Sequence, residues 1–499
     1  MRDYHMVDRE CSQSRSGCQC RIPGKSRLLA CPNDKVESAR TGANRGTLMN
    51  VSGRIALLLG SAAILGGVAS EAFAGAFALR EQSSYGQGMS FAGVAAGGSL
   101  SSSFWNPAVL SQVMGFEAEL GGTLIVPTIK VTPTAATVAT LDALSGGFAA
   151  TSASGDMGQD AFAPVGYVAY RINESLIAGI GVNSPFGLAT NPETSWAGQA
   201  YSRTSKVFSV NVNPMIAYQL NEMISIGAGL QVQYFKTSLK TATGVLPGDP
   251  TADLSGDDTS VGFTAGIQVR PFAGTEIGLG FRSSIRQSLE GTLELPGSQP
   301  LPIDADLDMP ETVSLGLRQR ITDAFTLAGT VEWTNWSRFG DVAVTSPLLG
   351  GAPVDLNAFQ AGAQGLSFQY DDGWFFSVGG EYAWTPATSL RAGIGYELSP
   401  ISDKVRSTRL ADDDRLWLSA GLSHSFNERF SFDFAYSYVR AMDPDIDISS
   451  ASNPSFNGLP FVAEGESDLH FISAALKVKL GGGARPVFES YEEPAVRKF

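Results

Sequence analysis

The sequence predicts an all-β protein: a transmembrane antiparallel β-barrel of about 14 strands in the bacterial cell outer membrane, with an N-terminal plug in its lumen. Three observations predict this fold class. An export signal precedes most of the chain, apolar and polar residues then alternate with period two, and short and long connections take turns between the alternating segments. No later stretch of the 499 residues approaches the roughly 18 uninterrupted apolar residues that a helical span needs.

The export signal is the first observation. Residues 49–74 contain one arginine, an apolar stretch from Ile55 to Ala69 and then Ala72-Phe73-Ala74. A charged start, an apolar run of roughly 7–15 residues and an A-x-A site are the parts of a secretory signal peptide. A transmembrane anchor is the alternative, but the stretch is short, rich in glycine and followed by a cleavage site. We therefore predict a signal peptide over residues 49–74.

Residues 1–48 precede the signal peptide and are polar, basic and without periodicity. We interpret them as a non-native upstream extension, with Met49 as the true initiator. All four cysteines lie in this segment without a CxxC pair, so we predict no metal site and no cofactor: Cys11, Cys18, Cys20 and Cys31. In the whole chain 49 acidic residues outnumber 35 basic ones, which weighs against nucleic acid as a partner.

Strict alternation of side-chain character is the second observation. Between Phe430 and Tyr438 every second residue is aromatic, and the residues between them are small or polar. Such a row facing water would be an aggregation hazard, whereas a lipid-facing row with interfacial aromatics suits an outer-membrane barrel. The pattern predicts strands at 116–126, 162–172, 175–184, 207–220, 223–237, 260–271, 275–289, 311–321, 324–337, 373–384, 388–399, 413–426, 429–440 and 467–480.

The connections are the third observation. Even-numbered strands are followed by short turns such as Asn173-Glu174 and Asn427-Glu428, and odd-numbered strands by long loops such as 238–259 and 290–310. Short periplasmic turns and long extracellular loops are typical of outer-membrane barrels. An even number of strands also places both ends of the barrel in the periplasm.

The segments that flank the barrel are interpreted by composition. Residues 75–115 are rich in glycine and serine, and irregular backbone is tolerated inside a wide barrel, so we predict that they form a plug. The barrel is predicted over 116–480 and a periplasmic tail over 481–499. The barrel-assembly machinery is an expected partner. Leu480 ends the better-patterned segment, although Phe499 could mimic a terminal assembly signal.

Motifs in the plug and the barrel resemble the FadL/TodX family. The plug motifs are GAFALREQSSYGQGMSFAG, which starts at Gly75, and Phe104-Trp105-Asn106-Pro107-Ala108. Matching segments follow in the family's order at 181–190, 211–214, 332–337 and 415–419. The resemblance implies a fourteen-stranded barrel with an N-terminal hatch, which transports long-chain fatty acids or other hydrophobic compounds.

The resemblance also implies a route. The extracellular loops capture the substrate, the lumen beneath them binds it, and it leaves sideways through the wall into the outer-membrane lipids. Loop 338–372 is apolar enough for capture, with Leu348, Leu349, Phe359 and Leu366. The family's substrate-pocket element matches the hatch residues Phe104, Asn106, Pro107 and Ala108. The family's lateral opening falls on strand three, with the candidates Gly179, Gly181, Asn183, Pro185 and Gly187.

Each of these site interpretations has a simpler alternative. Asn106-Pro107 is also a plain turn, and strand three could simply end at Asn183. Arg282, Arg318 and Arg391 fall on the inward register and are candidates for a substrate carboxylate, because a buried cation is its expected partner. The alternative is a lumenal network in which they pair with inward acids such as Glu332, Glu381 and Glu397.

No enzyme is predicted. The histidines after the signal peptide, His424 and His470, belong to no HExxH or Ser-His-Asp arrangement. Two other function classes stay open beside a transporter of hydrophobic ligands. A general diffusion porin would share the barrel but lack the plug, and a structural or adhesive barrel would bind a surface partner through its loops.

Overall fold

The structure is a computed structural model, and it describes residues 11–14, 17–20, 76–356, 365–442 and 444–481. The predicted signal peptide, Phe359 and all of the predicted tail after Gly481 lie outside these residues. The chain divides into two units, Met1–Gly60 and Ser61–Phe499. In the first unit, Cys11–Ser14 and Gly17–Cys20 pair as an antiparallel hairpin.

The second unit contains the predicted closed antiparallel barrel of 14 strands. Successive strands pair with one another, and the last strand pairs with the first from Leu480↔Phe116 to Ala463↔Pro133. The strands are β1 (Phe116–Pro133), β2 (Ala161–Arg171), β3 (Leu176–Asn183 and Gly187–Thr190), β4 (Thr204–Gln219), β5 (Ile224–Ala242), β6 (Thr251–Val269), β7 (Thr275–Arg282 and Ile285–Glu294), β8 (Leu301–Met309 and Thr312–Arg320), β9 (Phe325–Thr334), β10 (Gly373–Thr385), β11 (Thr388–Leu398), β12 (Arg415–Ser425), β13 (Phe430–Ala441) and β14 (Phe461–Leu480).

Short turns close one end of the barrel, and side-chain hydrogen bonds shape them. Asn173 Oδ1 accepts from the backbone N–H groups of Ser175 and Leu176, at 2.9 and 2.8 Å. Asn221 and Asn427 accept in the same way from the two residues that open the next strand. Asn favours such turns because its side-chain oxygen imitates a backbone acceptor. The predicted alternation of short turns and longer connections is therefore confirmed.

Several strands extend far beyond the apolar belt. β5 and β6 have 19 residues each, whereas a tilted strand crosses the hydrocarbon in roughly 9–11. The predicted loops 238–259 and 290–310 were therefore too long, because strand structure leaves only residues 243–250 and 295–300 between the paired strands. Within these extensions Leu254 and Leu289 are buried, while Asp257 and Glu290 are exposed.

Smaller elements complete the described chain. Three short strands and one two-residue strand lie in the extracellular loops: Asp341–Ser346, Ala352–Pro353, Gly365–Ser367 and Ile446–Ile448. The α-helices are Ser84–Gln87 and Ala135–Ser145, and the 3₁₀ turns are Val94–Ala96, Leu100–Phe104, Pro107–Gln112, Trp336–Arg338 and Pro347–Leu349. None of the helices in this part of the chain has the length and hydropathy of a membrane span.

The segment Ala76–Val113 lies inside the barrel and contacts its inner wall on several sides. Gln87 donates to the carbonyl of Phe471 on β14, and Ser90 donates to Ser419 on β12. On β7, a Cβ atom at Gly280 would lie 1.9 Å from the carbonyl oxygen of Trp105. Only glycine allows the plug backbone to approach a strand so closely. We keep the name hatch for residues 76–113.

Candidate functional site

The inward side chains of β5 give the order of layers in the lumen. Near the periplasmic turn, Gly227 lies against the hatch at Ala108. Gln231 and Gln233 come next and line one cavity, and Phe235 and Leu239 line a second cavity closer to the extracellular loops. We call the cavity next to the hatch the polar chamber and the outer one the apolar chamber.

The apolar chamber lies beneath the extracellular loops and, together with the solvent space open to it, has a volume of about 900 Å³. Strands β3 to β8, the hatch residue Phe77 and the loops before β10 and β12 form its walls. Most of its lining is aliphatic or aromatic, including Leu188, Val207, Phe235, Leu289, Ile303, Leu307, Phe339 and Leu366. A lining of this kind is typical of sites that bind apolar ligands.

Arg409 is the cation among the residues that line the apolar chamber. Its Nη1 donates to Ser205 Oγ at 3.3 Å and to the carbonyl oxygen of Lys240 at 3.2 Å. Burial lowers the pKa of the Arg409 guanidinium to about 10, so the group is charged at neutral pH. The chamber therefore combines an apolar wall with one oriented positive charge.

Four aromatic rings separate the two chambers, and we call them the aromatic partition. Phe77 of the hatch packs against Trp336 and Phe339, with ring centroids 4.9 and 5.2 Å apart. Phe186 of β3 lies 6.0 Å from Phe77. Phe77 and Phe339 also line the apolar chamber, whereas Phe186 and Trp336 line the polar chamber. The partition thus joins the hatch, the wall and an extracellular loop.

Most of the lumenal arginines are paired with acids. In the polar chamber, Arg80 of the hatch forms ion pairs with Glu332 and with Glu397. Closer to the periplasm, two of the three predicted carboxylate ligands are paired in the same way: Arg318 with Glu381 (3.2 Å) and Glu276 (3.5 Å), and Arg391 with Asp433 (3.5 Å) and Glu381 (3.7 Å). The lumenal network that was the alternative is therefore present, and a substrate role for Arg318 and Arg391 stays a prediction.

Arg282 differs from these arginines. It lines the polar chamber, and its guanidinium donates to the carbonyl oxygen of Phe104 at 3.0 Å and to Gln231 Oε1. The guanidinium carbon lies 4.0 Å from the centroid of the Phe104 ring. Among the residues that the structure describes, no carboxylate oxygen comes within 4.0 Å of its nitrogens.

The predicted hatch residues take different places. Phe104 lines the polar chamber. Asn106 begins the 3₁₀ turn Pro107–Gln112: its Oδ1 accepts from the N–H of Ala108 at 2.9 Å, and its Nδ2 donates to the carbonyl oxygens of Ala95 and Ile267 at 2.7 and 3.0 Å. Asn106 thus anchors the hatch to β6, and Pro107 and Ala108 lie against Gly227 of β5, one layer below the chamber. Their role as substrate-pocket residues stays a prediction.

The wall is interrupted at β3. Pairing with β2 extends from Arg171↔Ile177 to Gly166↔Val182, and in the described chain Ala161–Val165 has no strand partner on the β3 side. The backbone at the interruption bonds to the hatch instead. Leu79 N–H donates to the carbonyl oxygen of Pro185 at 2.8 Å, and Gly187 N–H donates to that of Phe77 at 2.9 Å.

The residues predicted for the lateral opening lie at or below this interruption. Pro185 lines the polar chamber, and Gly187 resumes pairing with β4. Asn183 is buried at the end of the first piece of β3. A Cβ atom at Gly179 would meet the side chain of Leu110 at 3.0 Å, and one at Gly181 would meet the ring of Tyr167 at 3.0 Å. These glycines therefore give room to the hatch and to the neighbouring strand.

The extracellular loop 338–372 contributes to two surfaces. Leu348 and Leu349 are 71% and 51% exposed, and Leu366 lines the apolar chamber. The capture role of loop 338–372 stays a prediction.

The sequence did not predict Arg80, Phe77 and Arg409 as site residues, because the alternation that marks the strands does not reach the hatch or the loop before β12.

The comparisons with known proteins agree with this geometry. Among solved structures, a Pseudomonas aeruginosa FadL homologue superimposes with a TM-score of 0.72 at 21% identity, covering 82% of this chain and all of that chain. The Ralstonia pickettii toluene transporter TbuX superimposes with a TM-score of 0.57 at 18% identity, covering 79% of this chain and 97% of that chain. These two structural similarities support the fold alone.

Relatives found by sequence extend over most of the chain. A long-chain fatty acid transport protein of Salmonella typhi is 24% identical, with 76% of this chain and 90% of that protein covered. Outer membrane protein P1 of Haemophilus influenzae is 26% identical, with 77% and 89% covered. The sequence profile of the outer membrane protein transport protein family (OMPP1/FadL/TodX) matches residues 65–477. The chain belongs to this family.

Proposed function

We propose that this chain takes up long-chain fatty acids, or molecules of similar hydrophobicity, across the bacterial outer membrane. The observation that carries the proposal is the apolar chamber beneath the extracellular loops, with Arg409 at its edge. Burying each CH₂ group of a hydrocarbon chain contributes roughly 0.8 kcal/mol, and a charge-assisted hydrogen bond holds the carboxylate. The relatives named as fatty acid or toluene transporters support a hydrophobic substrate.

We infer that the substrate leaves the lumen sideways at the interruption of β3. The polar chamber reaches this point through Pro185 and Phe186. A hydrocarbon chain that passes from here into lipid is never exposed to water, whereas release through the barrel axis would expose it. Outer-membrane lipids are therefore the proposed recipients. Insertion of the barrel by the assembly machinery is the other proposed partnership, and no catalytic step is part of the proposal.

The hatch separates this function from that of a diffusion porin. It contacts the inner wall at β5, β7, β12 and β14, and we infer that it obstructs the axial route. We expect the intact protein to be nearly silent in a planar bilayer and a variant lacking residues 75–115 to conduct. A large, steady conductance of the intact protein that the deletion leaves unchanged would favour the porin.

Uptake in cells tests the proposal. We expect cells with the protein to accumulate labelled oleate, labelled toluene or both faster than cells without it. The control is the Gly329→Ala variant, because a Cβ atom at Gly329 would find its nearest neighbour at 3.5 Å. Equal accumulation of both compounds with and without the protein would overturn transport and leave the adhesive barrel as the better account.

A further inference from the structure

We propose that Arg282 is a second binding station, specific for carboxylates, between the aromatic partition and the interruption of β3. The inference rests on the proposed function, because it names the head group that the transported molecule carries. In this view the substrate carboxylate exchanges Arg409 for Arg282 as the molecule moves inward. Arg282 thereby selects fatty acids over neutral hydrocarbons of the same length.

A β-bulge follows directly after Arg282, which the regular alternation of the first piece of β7 directs into the lumen. Arg282 pairs with Thr264, and further along the same two strands Glu290 pairs with Asp257, so β7 carries one residue more than β6 between these pairs. Ser283 takes up the extra residue: its N–H donates to the carbonyl of Phe263, and its Oγ accepts from the N–H of Phe263, both at 2.9 Å. Bulges of this kind re-aim side chains and are frequent next to functional sites.

In the described chain Arg282 forms no ion pair, and Glu332 acts on its charge only from a distance within the same chamber. The partners of Arg282 are the neutral carbonyl of Phe104, the amide of Gln231 and the face of the Phe104 ring, and the residue is only 8% exposed. A buried cation is unfavourable unless an anion compensates it, and Arg80, Arg318 and Arg391 in the same lumen obey that rule. The carboxylate of a transported molecule would form the ion pair with Arg282 that acids of the protein form with the other three arginines.

The other groups of the polar chamber allow such a ligand. The acids that line it, Glu332 and Glu397, both bind Arg80, and Glu332 also accepts from Ser314. Both carboxylates are therefore held on the hatch side of the chamber, where Arg80 contacts the two of them and Arg415 lies 4.0 Å from Glu397. Gln233 and Ser283 add polar groups beside Arg282, while Ile285 and Met309 add apolar surface. The lining thus suits a head group with the beginning of its hydrocarbon chain.

The position of Arg282 suits a station on the way out. The same chamber is lined by Phe186 and Trp336 of the partition and by Pro185 of the interruption. A carboxylate held at Arg282 would leave its tail to pass through the partition or toward the wall. Because a guanidinium can hold a carboxylate through two parallel hydrogen bonds, it distinguishes this head group from an alcohol or a hydrocarbon end.

The test compares Arg282→Gln with the wild type for labelled oleate and for oleyl alcohol of the same chain length. The variant is expected to lower oleate uptake about tenfold and to leave the uptake of oleyl alcohol unchanged. A tenfold decrease corresponds to the loss of one charge-assisted hydrogen bond. Arg286→Gln, on the exposed outer face of the same strand, is the matched control. Uptake is normalised to the amount of heat-modifiable barrel in the outer membrane.

Other outcomes contradict the proposal. An equal loss of oleate and alcohol uptake would assign Arg282 to support of the hatch at Phe104. Arg282→Lys keeps the charge and is expected to keep oleate uptake within about threefold of the wild type. Loss as great as in Arg282→Gln would exclude the charge as the cause. If neither compound enters through the wild type, the proposed function fails rather than the assignment of Arg282.

A measurement with Arg282 intact tests the proposal if the Arg282 variants do not assemble. Oleylamine has the same chain with a cationic head group, and Arg409→Gln removes the other cation on the proposed route. In this variant Arg282 should still slow oleylamine about tenfold relative to oleate. Equal uptake of oleate, oleyl alcohol and oleylamine by the Arg409→Gln variant would overturn the proposal.

Discussion

The loop before β12 holds Arg409 at the edge of the apolar chamber, and a neighbouring arginine fixes that loop. Arg406 donates to the carbonyl oxygens of Asp412 and Asp445, both at 2.7 Å, and forms ion pairs with Asp403 and Asp413. The loop is thereby bound to itself and to the next extracellular loop. A charge on a fixed loop is oriented before the ligand arrives, so binding loses little side-chain freedom.

Arg409→Gln should weaken the binding of oleate to the purified protein by about 1.5–3 kcal/mol and leave the binding of toluene unchanged. The contribution requires the protonated guanidinium, so it is present at lower pH and lost as the pH rises through about 10. Titration calorimetry with oleate between pH 8 and 11 should therefore show affinity falling in the wild type only. A variant that binds both ligands as the wild type does would contradict a head-group role.

The interruption of β3 contains one residue more than the facing part of β4. Asn183 pairs with Asn211 and Gly187 pairs with Phe208, so the span on β3 is longer by one. The extra length lets Ser184–Phe186 leave the ladder, and the hatch supplies hydrogen bonds in place of β2. The interruption and the hatch are therefore one structural unit, although they are distant in sequence.

Deletion of Pro185 alone should restore equal spacing between the two pieces of β3 and β4. Side chains would then alternate between the inward and outward faces without a break from Asn183 to Gly187, and the polar chamber would no longer open through the wall. We expect oleate uptake to fall at least tenfold, while oleate still binds in the apolar chamber. Uptake in cells and binding to the purified variant check the two halves of this expectation. Unchanged uptake would mean that the substrate takes another exit.

The membrane-spanning parts of the strands could be predicted from the sequence, and their extensions could not, for one physical reason. Within the membrane the outward residues are apolar, as with Phe263, which is exposed on β6. Above the membrane the outward side meets water, so Asp257 faces out and Leu254 faces in. The alternation with period two persists, but the apolar residues lie on the outward face of a strand within the membrane and on its inward face above the membrane. A pattern of outward apolar residues therefore predicts only the membrane-spanning part of each strand.

At the scale of the whole molecule, the lumen is divided into hatch, polar chamber and apolar chamber. Gly and Ser in residues 75–115 predicted a plug, and the inward register of Arg282 followed from alternation. The aromatic partition could not be predicted, because Phe77, Phe186 and Phe339 come from segments far apart in the chain. Arg409 lies in an irregular loop, where no periodicity indicates which way a side chain points.

The fit between hatch and wall predicts which glycines keep the barrel closed. Gly280→Leu would place a Cβ atom 1.9 Å from the carbonyl oxygen of Trp105, whereas at Gly329 the nearest atom is 3.5 Å away. Overpacking of the first kind typically costs about 1–3 kcal/mol, so the hatch should shift away from β7. We expect Gly280→Leu to conduct in planar bilayers and Gly329→Leu, the matched control, to stay as silent as the wild type. Because both substitutions add the same side chain to a strand, conductance from both would indicate a weakened barrel rather than a displaced hatch. Silence of both would mean that the hatch can move against β7 without opening the lumen.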